Sequence, residues 1–494
     1  MKVKAKHISA AYAVTRAAQL GESISVDKLS MAMNVLFQAG LFDEGRAIAE
    51  HLISMLKRFL QENKVEKALV LETLLYRDCI KLVETEENHH FWFSRWAMDF
   101  GQVALESPLK RYEFPTPRLE ASVGFVLHSG LKVLGHTTVM LGFLKQVRLK
   151  NPSRRLVVFA LDVIGDQLRE ELELLGVEGV GAIHDSSLEQ DVKFNPLQRI
   201  IWLQNEFLSR HLHVAIWVST FQWAHFSFGV GLAARQVFWA MKFHSFAIGS
   251  DVLHVGFGHP TESSRNYFDT HWYMVPWPLT TNYLNPNTDV SEILRIRSEF
   301  NCKVLFGTLA REEKLDQVDY AVSVCLVLED NPEAHFIYTG RTKSSVLERE
   351  FTRRNLMSRV HFIGWVDTSI YSGVLDIFLE TFPLGCAITG FQSMSRGKPF
   401  VSIWRDGTVS KELLKDPVSV LSEHPETLAI GLSGEKKGLV VARSSAEYVR
   451  YATYLARNDH ERKIAGERCR SFVDHYGDGE ILLAKRMLEI IDGH

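Results

Sequence analysis

Several familiar sequence signatures are missing from this chain. It contains no G-x-G-x-x-G and no G-x-x-x-x-G-K-[ST] segment, which argues against a dinucleotide-dependent dehydrogenase and a P-loop nucleotidase. It also has no Asp-x-Asp pair of the kind that holds a divalent cation against a diphosphate, so we expect no metal site and no other cofactor. Any phosphate that the protein binds must then be neutralised by lysine, arginine and helix N-termini.

The chain also has few cysteines, a small net charge and no long apolar run. The five cysteines are scattered and form no C-x-x-C pair, which argues against a disulfide framework or a zinc site and favours a reducing, cytoplasmic location. A net charge of −3 excludes a nucleic-acid surface spread over the whole molecule. Arg16 interrupts the weakly apolar N-terminus, and Ala321–Leu328 is far too short to span a bilayer, so we expect neither a signal peptide nor a transmembrane segment.

What the chain does have is enough apolar sequence for several cores. It contains 494 residues, of which 46% are hydrophobic and 23% charged, so it is a globular protein that can bury two or three cores. Residues 1–115 read as an all-helical domain, because apolar residues recur three and four apart in NVLFQAGLFDEGRAIAEHLISMLKRFL. Such a layer either packs on a neighbouring domain, which we favour, or offers a groove to a partner peptide.

Strands and helices alternate in the rest of the chain. In residues 116–280 we predict strands at Ala121–Ser129, Arg155–Leu161, Val177–Ile183, Val214–Ser219, Gln236–Met241, Asp251–Val255 and His271–Val275. In residues 281–494 we predict strands at Lys303–Gly307, Ala334–Gly340, Val360–Gly364, Asp376–Glu380, Phe400–Ile403 and Gly438–Ala442, followed by closing C-terminal helices. The proline-rich stretch Pro276–Asn287 reads as the connection. The prediction is an α/β protein with two Rossmann-like, doubly wound domains that face a cleft, after a helical domain.

The segment Arg359–Ile403 is the most informative part of the chain. Its central strand ends in Phe-Pro and a loop of small residues, and a helix follows with Thr389 and Gly390 in its first turn. Such a loop at the carboxyl end of a parallel strand is where α/β sheets bind phosphate, because the helix N-terminus offers free N–H groups. Gly385 and Gly390 would let the backbone approach the ligand. The alternative is an ordinary strand–helix turn.

The loop GTLAREEKLD that begins at Gly307 looks like the first β–α loop of the C-terminal domain of GT-B glycosyltransferases. Together with DIFLETFP from Asp376 and the triplet from Ile388 to Gly390, it resembles the branch of O-GlcNAc transferase and the bacterial cytoplasmic adhesin N-glucosyltransferases. Two N-terminal segments agree with that branch, namely GHTT from Gly135 and ARQVFW from Ala234. The similarity extends over roughly residues 120–475.

This resemblance implies the residues that contact the donor. They are Gly307, Thr308, Arg311, Lys314, Tyr371, Phe382, Gly385, Thr389, Gly390 and Gln392. Lys314, Thr389 and Gly390 would hold the diphosphate. The chain departs from the family pattern at three positions: Gln392 replaces a ribose-binding Asp, Arg235 replaces a Pro, and Thr368 replaces the base-stacking His, so that Tyr371 or Trp365 would stack on the base instead.

Two residues are candidates for the catalytic roles. Lys314 would stabilise the leaving diphosphate by its charge, and His136 would accept the acceptor's proton or orient the acceptor. The alternatives are that Lys314 is a solvated lysine and that His136 only caps its helix. Further contacts with acceptor or donor are expected from His128, Gln236, Lys242 and His244.

The resemblance therefore implies a metal-independent, inverting glycosyltransferase. It would move a hexose or HexNAc from a nucleotide sugar, UDP-linked, to an acceptor, which the resemblance suggests is an Asn or Ser/Thr side chain of a protein. Three alternatives stay open at this point. The chain could act on a surface glycan or a lipid-linked sugar, it could be a catalytically inactive GT-B partner or scaffold, or it could be a two-domain epimerase that needs no acceptor.

Overall fold

The computed structural model describes residues 5–19, 24–39, 41–79, 86–111, 113–114, 121–132, 134–183, 195–241, 247–249, 251–258, 262–278, 284–285, 289–405, 408, 410, 440–475 and 479–493. Within it the chain forms two compact units, residues 3–276 with 481–494 and, separately, residues 277–480. The predicted domain boundaries at 115/116 and 280/281 lie outside the described residues.

The N-terminal part is helical, as predicted. Its helices are α1 (Ala5–Gln19), α2 (Val26–Gln38), α3 (Phe42–Gln61), α4 (Val65–Cys79) and α5 (Glu86–Leu105). In α3 the buried residues Ile48, Leu52 and Leu56 recur every fourth position, so that one face packs inside the layer while the other carries the charges. The structure thus confirms the all-helical prediction over residues 5–105.

The first sheet follows the helical layer. Its strands are β1 (Val123–Leu127), β2 (Leu156–Ala160), β3 (Glu178–Gly181), β4 (Val214–Val218), β5 (Arg235–Trp239), β6 (Val252–Gly258), β7 (Ser264–Tyr267) and β8 (Thr270–Pro276). The helices between them are α6 (Gly135–Lys150), α7 (Asp166–Leu174), α8 (Pro196–Ser209) and α9 (Ala224–Val230). The strand order is β3-β2-β1-β4-β5-β6-β8-β7, and every pair is parallel except β7 with β8.

Strand β7 was not predicted from the sequence. It pairs with β8 through a two-residue turn, Phe268-Asp269, in which both residues have positive φ. Such turns usually contain Asn-Gly or Asp-Gly, and Phe-Asp gives no comparable signal. The polar, half-exposed residues of β7 also lack the apolar alternation that marks a strand.

The second sheet is wholly parallel. Its strands are β9 (Val304–Thr308), β10 (Ala334–Tyr338), β11 (Val360–Phe362), β12 (Ile377–Leu379), β13 (Phe400–Ile403) and β14 (Val440–Ala442). Its helices are α10 (Val290–Ser298), α11 (Glu312–Leu315), α12 (Val318–Asp330), α13 (Ser345–Arg353), α14 (Thr368–Val374), α15 (Ala387–Ser395), α16 (Ser445–Arg457) and α17 (Asp459–His475). Each predicted strand is found: β13 has the predicted bounds, β9 is shifted by one residue, and the described parts of the others are one to two residues shorter at one or both ends.

The last helix, α18 (Gly479–Asp492), packs on the unit of residues 3–276. The sequence predicts it as part of the C-terminal domain, residues 281–494. The buried guanidinium of Arg154 forms an ion pair with Asp492 at 2.6 Å, and Arg486 Nη1 donates to the carbonyl of Glu262 at 2.6 Å. Both partners precede α18 by more than two hundred residues, so no local pattern indicates this contact.

Both sheets contain the strand order 3-2-1-4-5-6 when their strands are counted along the chain. This is the Rossmann order, and it confirms the predicted α/β class with doubly wound sheets. In such sheets ligands bind outside the carboxyl ends of the two strands where the order reverses. These strands are β1 and β4 in the first sheet and β9 and β12 in the second. Among the described residues, no helix has both the length and the apolar character needed to cross a bilayer.

Candidate functional site

The candidate site lies at the carboxyl ends of β9 and β12 in the second sheet. The loop after β9 and the first turn of α15 are in direct contact there, because Thr389 Oγ1 donates to the carbonyl of Leu309 at 2.7 Å. The sequence places these residues in separate segments, and the sheet brings them together because β9 and β12 are hydrogen-bonded neighbours. Two of the predicted phosphate-binding segments are therefore adjacent.

Lys314 lies beside the loop between β12 and α15. It belongs to the single-turn helix α11, and its Nζ donates to the main-chain carbonyl of Gly385. Burial raises the pKa of the Cys386 thiol, and the nearby Lys314 ammonium acts in the opposite direction. The structure thus places the charge of Lys314 next to Gly385 and Cys386, at the start of α15.

The N-terminus of α15 is held by a buried carboxylate. Glu380, at the end of β12, accepts the Cys386 N–H at 3.3 Å and a hydrogen bond from the Ser402 hydroxyl. Cys386 is the N-cap residue, and the first-turn N–H groups that follow it have no partner within the helix. An α-helix N-terminus carries partial positive charge, so α15 and Lys314 together form a place suited to an anion.

Two predicted donor-binding glycines have packing roles. A Cβ at Gly307 would lie 2.3 Å from Leu375 Cδ2, and a Cβ at Gly390 would lie 2.3 Å from Phe400 Cε2. Phe382 is likewise fully buried, with its ring edge-on to those of Tyr320 and Tyr448. The Phe382 ring is thus enclosed by other side chains, and neither glycine position could accommodate a side chain; the predicted approach of the backbone to a donor at these positions stays a prediction.

Thr308 and Gln392 also direct their polar groups into the protein. Thr308 Oγ1 donates to the carbonyl of Leu379 at 2.6 Å and contacts the Tyr320 hydroxyl. Gln392 Nε2 donates to the carbonyl of Leu284 at 2.9 Å, and the residue is 8% exposed. Both side chains therefore make internal hydrogen bonds in this structure, and their predicted donor contacts stay predictions.

The two candidates for base stacking are placed differently. Tyr371 lies on α14, and its pKa is raised by burial and, to a smaller degree, by the charge of Glu299, the C-cap residue of α10. Trp365 follows β11 and is 45% exposed, with the guanidinium of Arg341 over its ring at 5.4 Å. Arg341 N–H donates to Glu312 of α11 at 3.0 Å, so the Trp365–Arg341 pair adjoins the helix that bears Lys314. Trp365 is therefore the better placed.

Arg311 is the last of the predicted donor residues. It is the N-cap residue of α11, and its side chain is exposed. Within the described part of the chain its guanidinium makes no hydrogen bond or ion pair, so it is accessible to a ligand.

In the first sheet, His128 and His136 lie at the carboxyl edge of β1. Burial lowers the pKa of His128 to about 4, with smaller contributions from the charges of Arg199 and His136. His128 Nδ1 is shielded from solvent and has no hydrogen-bond partner among the described residues. His136 is the second residue of α6, whose N-cap residue is Leu134 with no side-chain cap, so His136 does not cap the helix.

Of the other predicted contacts in the first sheet, Gln236 is not at this edge. Gln236 lies at the start of β5, the opposite edge, where Nε2 donates to the carbonyl of Phe228 and Oε1 accepts the Leu232 N–H. Both ends of its amide are thus used locally, and its expected ligand contact stays a prediction. Lys242 and His244 lie outside the described residues.

Sequence reasoning missed two residues of this region. Arg341 has its guanidinium over the Trp365 ring, and Glu312 of α11 accepts the backbone N–H of Arg341. Both are charged residues just beyond the ends of β10 and β9, and that position is a usable signal. In the described ranges no group of three or more His, Cys, Asp or Glu side chains is arranged to hold a metal ion.

No family model matches this chain, and no curated protein matches its sequence. Solved structures do match. A point mutant of the O-GlcNAc transferase of Thermobaculum terrenum has a TM-score of 0.54 and 13% identity, covering 99% of this chain and 96% of that one. HepE of Anabaena, solved with UDP and glucose, has a TM-score of 0.54 and 14% identity, covering 76% and 100%.

A third structure is WaaG, described as a glycosyltransferase involved in lipopolysaccharide biosynthesis. It has a TM-score of 0.51 and 12% identity, covering 75% of this chain and 100% of that one. At such identities the likeness concerns the fold, which the two sheets and their strand order independently indicate. The chain has the GT-B fold, preceded by a helical layer.

Proposed function

We propose that this protein is a cytoplasmic, metal-independent, inverting glycosyltransferase. It moves a hexose or HexNAc from a UDP-linked sugar to an acceptor, which is an Asn or Ser/Thr side chain of a protein. The observation that carries the proposal is the position of Lys314, whose ammonium contacts Gly385 at the N-terminus of α15, where the strand order of the second sheet reverses. That is where a nucleotide diphosphate is expected in this fold.

The leaving group needs positive charge as its bond to the sugar breaks. Lys314 supplies a full charge, and the first-turn N–H groups of α15 supply a partial one. A phosphate at this place competes with the Gly385 carbonyl for the ammonium. The hydrogen bond from Thr389 to Leu309 fixes the first turn of α15 against the loop after β9 before the donor binds. Donor binding then requires less reorganisation of the site.

The acceptor must lose a proton as it attacks the anomeric carbon. In a single displacement the nucleophile approaches opposite to the leaving diphosphate, and the anomeric configuration inverts. His136 is our candidate for the proton acceptor, since an imidazole titrates near neutral pH. His128, whose low pKa keeps it neutral, is a hydrogen-bond partner that orients the acceptor.

Two observations support UDP as the nucleotide of the donor. They are the exposed aromatic ring of Trp365 and the structural likeness to HepE. The exposed ring of Trp365, backed by the Arg341 guanidinium, offers a face on which a base can stack. Stacking is tolerant of base identity, so uridine is supported mainly by the HepE structures, which were solved with UDP, with UDP and glucose, and with UDP-glucose.

The helical layer supports the choice of a protein acceptor. The O-GlcNAc transferase structure covers 99% of this chain, whereas HepE and WaaG cover 76% and 75%. The difference in coverage is about equal to the fraction of the 494-residue chain that residues 1–120 make up. A surface-glycan or lipid-linked acceptor is the second candidate, favoured by the printed role of WaaG in lipopolysaccharide biosynthesis.

An inactive scaffold is the third candidate. It is favoured by Gln392, Thr308 and Phe382, which the resemblance assigned to the donor and whose side chains point inward. A protein that kept the fold without its chemistry would retain such packing while losing nucleotide affinity.

The test compares donor binding and turnover in matched variants. Wild type, Lys314→Ala and Lys343→Ala are each titrated with UDP-glucose and UDP-GlcNAc in a thermal-shift assay, and UDP release is measured with and without EDTA. Lys343 is a half-exposed lysine of the same unit whose ammonium lies 3.5 Å from Glu348, so it controls for loss of a lysine.

We expect one donor at about a hundred times its Kd to stabilise wild type by about 2.7 kcal/mol. Lys314→Ala should lower UDP release by about a hundredfold or more, since it removes the charge on the leaving group, and EDTA should change nothing. No stabilisation by any UDP-sugar would favour the scaffold, and release that stops with EDTA would refute the metal-independent mechanism.

A further inference from the structure

The turn of Phe221, Gln222 and Trp223, which follows β4, is embedded in the helical layer. The ring of Phe221 lies 4.8 Å from that of Tyr76 on α4 and 4.9 Å from that of Phe93 on α5. Because β4 is one of the two strands at which the order of the first sheet reverses, this turn stands at the carboxyl edge where a second substrate is expected.

Polar contacts tie the same turn to α4. Gln222 Nε2 donates to Thr73 Oγ1 at 2.8 Å, and Trp223 Nε1 donates both to that hydroxyl and to the carbonyl of Leu69, each at 3.1 Å. The backbone N–H of Trp223 donates to Glu72 Oε2 at 3.2 Å. Three groups of α4 thus hold one turn of the sheet's edge.

Trp223 needs these contacts because its backbone is strained. Its φ of +64° places a large side chain in the left-handed region, a conformation that persists only when the surroundings enforce it. The indole that is fixed in this way meets the ring of His128 at 4.8 Å and 63°. The position of the His128 ring therefore depends on the position of Trp223.

Glu72 is an unusual residue for this place. It is fully buried on α4, and one carboxyl oxygen accepts the Trp223 N–H. Burial raises the pKa of Glu72 to about 8, so the carboxyl is neutral at pH 7. The indole N–H of Trp96 is close enough to lower the pKa of Glu72 slightly, but it forms no hydrogen bond of normal geometry with the second oxygen. A buried polar side chain among the apolar residues of α4 is retained at a cost, which suggests a positional role.

We propose that Glu72 is a positioning residue which, through Trp223, sets the place of His128 at the carboxyl edge of β1. The helical layer then acts on sugar transfer through α4 although Glu72 touches no substrate. This inference rests on the proposed function for its effect on turnover, but the chain of contacts from Glu72 to His128 stands independently of it.

The experiment measures His128 itself. The imidazole ¹Hε1–¹³Cε1 resonance of His128, assigned with His128→Gln, is followed in the full-length protein labelled at histidine, in wild type, Glu72→Ala, Glu72→Gln and Glu50→Gln. Glu50 on α3 pairs with Arg95 of α5, so Glu50→Gln perturbs the helical layer without touching the turn after β4. UDP release from UDP-glucose and Kd for UDP are measured on the same samples.

Glu72→Ala should shift the His128 resonance and its titration, and it should leave the Kd for UDP unchanged. It should lower kcat by up to about a hundredfold, because a misplacement of about 1 Å in a group that orients a substrate can cost that much. Glu72→Gln keeps an acceptor for the Trp223 N–H and should restore both readouts. Glu50→Gln should leave them at wild-type values.

Should Glu72→Ala fail to fold, Thr73→Val removes the hydroxyl that accepts from Gln222 and Trp223 without opening a cavity, and it should move the His128 resonance in the same direction. An unchanged His128 resonance in the folded variants overturns the inference whatever the activity. A shifted resonance in a protein that neither binds UDP nor releases it would leave the positioning intact and refute the proposed function.

Discussion

Thr389 Oγ1 lies 2.7 Å from the carbonyl oxygen of Leu309, to which it donates a hydrogen bond. The two residues are 80 positions apart in the chain, and the bond joins the loop after β9 to the first turn of α15. Lys314 reaches Gly385 across the same junction. The candidate anion site of the second sheet is therefore formed by two loops that already contact each other without a ligand.

Thr389→Val tests this tie. Valine keeps the shape of threonine but cannot donate, so the Leu309 carbonyl loses its partner. We expect the free energy of unfolding to fall by about 1 kcal/mol and the Kd for UDP to rise by about three- to tenfold, because the loops must now be ordered on binding. Isothermal titration with UDP and urea unfolding measure the two effects.

Thr389→Ser is the matched control, since it restores the hydroxyl and should recover affinity. Thr352→Val on α13 removes a comparable exposed hydroxyl bond, to Glu348, and should leave UDP affinity alone. Equal affinity in Thr389→Val and wild type would mean that the tie has no bearing on the ligand.

Trp365→Ala tests the base platform. A base stacked on an aromatic face is worth about 1–3 kcal/mol, so removal of the indole should weaken UDP binding about tenfold. Met357→Ala is the control, because Met357 is also exposed and apolar but precedes β11, at the edge of the sheet away from the site. If Trp365→Ala bound UDP as wild type does, the base would have to lie elsewhere.

Gly307→Ala tests the packing role of Gly307. The added methyl would lie 2.3 Å from Leu375 Cδ2 and 2.9 Å from Ile337 Cγ1, and overpacking of this kind destabilises by about 1–3 kcal/mol. The comparison is Gly101→Ala in helix α5, where nothing lies within 4 Å of the new Cβ, which should stabilise by about 0.5–1 kcal/mol. Urea unfolding that ranks the two variants the other way would contradict this assignment.

We expect Glu72→Gln to become more stable than wild type by an amount that depends on pH. The pKa of Glu72 is 4.5 in the unfolded chain and about 8 when folded, so between these values the folded state holds a proton that the unfolded state releases. The contribution of neutral Glu72 is therefore complete below about pH 4.5 and lost as pH rises through about 8. Glutamine has no proton to lose.

The free energy of unfolding of Glu72→Gln, relative to wild type, should thus rise by a few kcal/mol between about pH 5 and about pH 8. Urea unfolding at a series of pH values measures it. A difference that stays constant over this interval would show that Glu72 is ionised in the folded protein.

Part of the candidate site follows from the sequence. Lys314 and Thr389 each follow a strand of a predicted parallel sheet, and parallel strands bring their carboxyl ends to one edge. Their proximity is therefore a consequence of local patterns alone.

For other residues, the sequence alone does not show which groups their side chains contact. Thr308 and Gln392 match the pattern of a donor site, but the main-chain carbonyls that accept their hydrogen bonds, those of Leu379 and Leu284, come from distant parts of the chain. The space beside Gly390 is filled by the Phe400 ring. Glu72 could have been noticed, since it falls on the buried face of α4 together with Leu69 and Leu75. Nothing local indicates that its partner is Trp223.

The amino-acid sequence by itself determined the helices, nearly all the strands and the edge of the sheet at which a ligand would bind. Apolar periodicity and turn residues act over a few positions, and strand order in a parallel sheet is narrowly constrained. Only the tertiary structure decided which side chains at that edge remain for a ligand. A hydroxyl or an amide binds whatever partner packing brings within about 3 Å, and for Thr308 and Gln392 packing brought the protein itself.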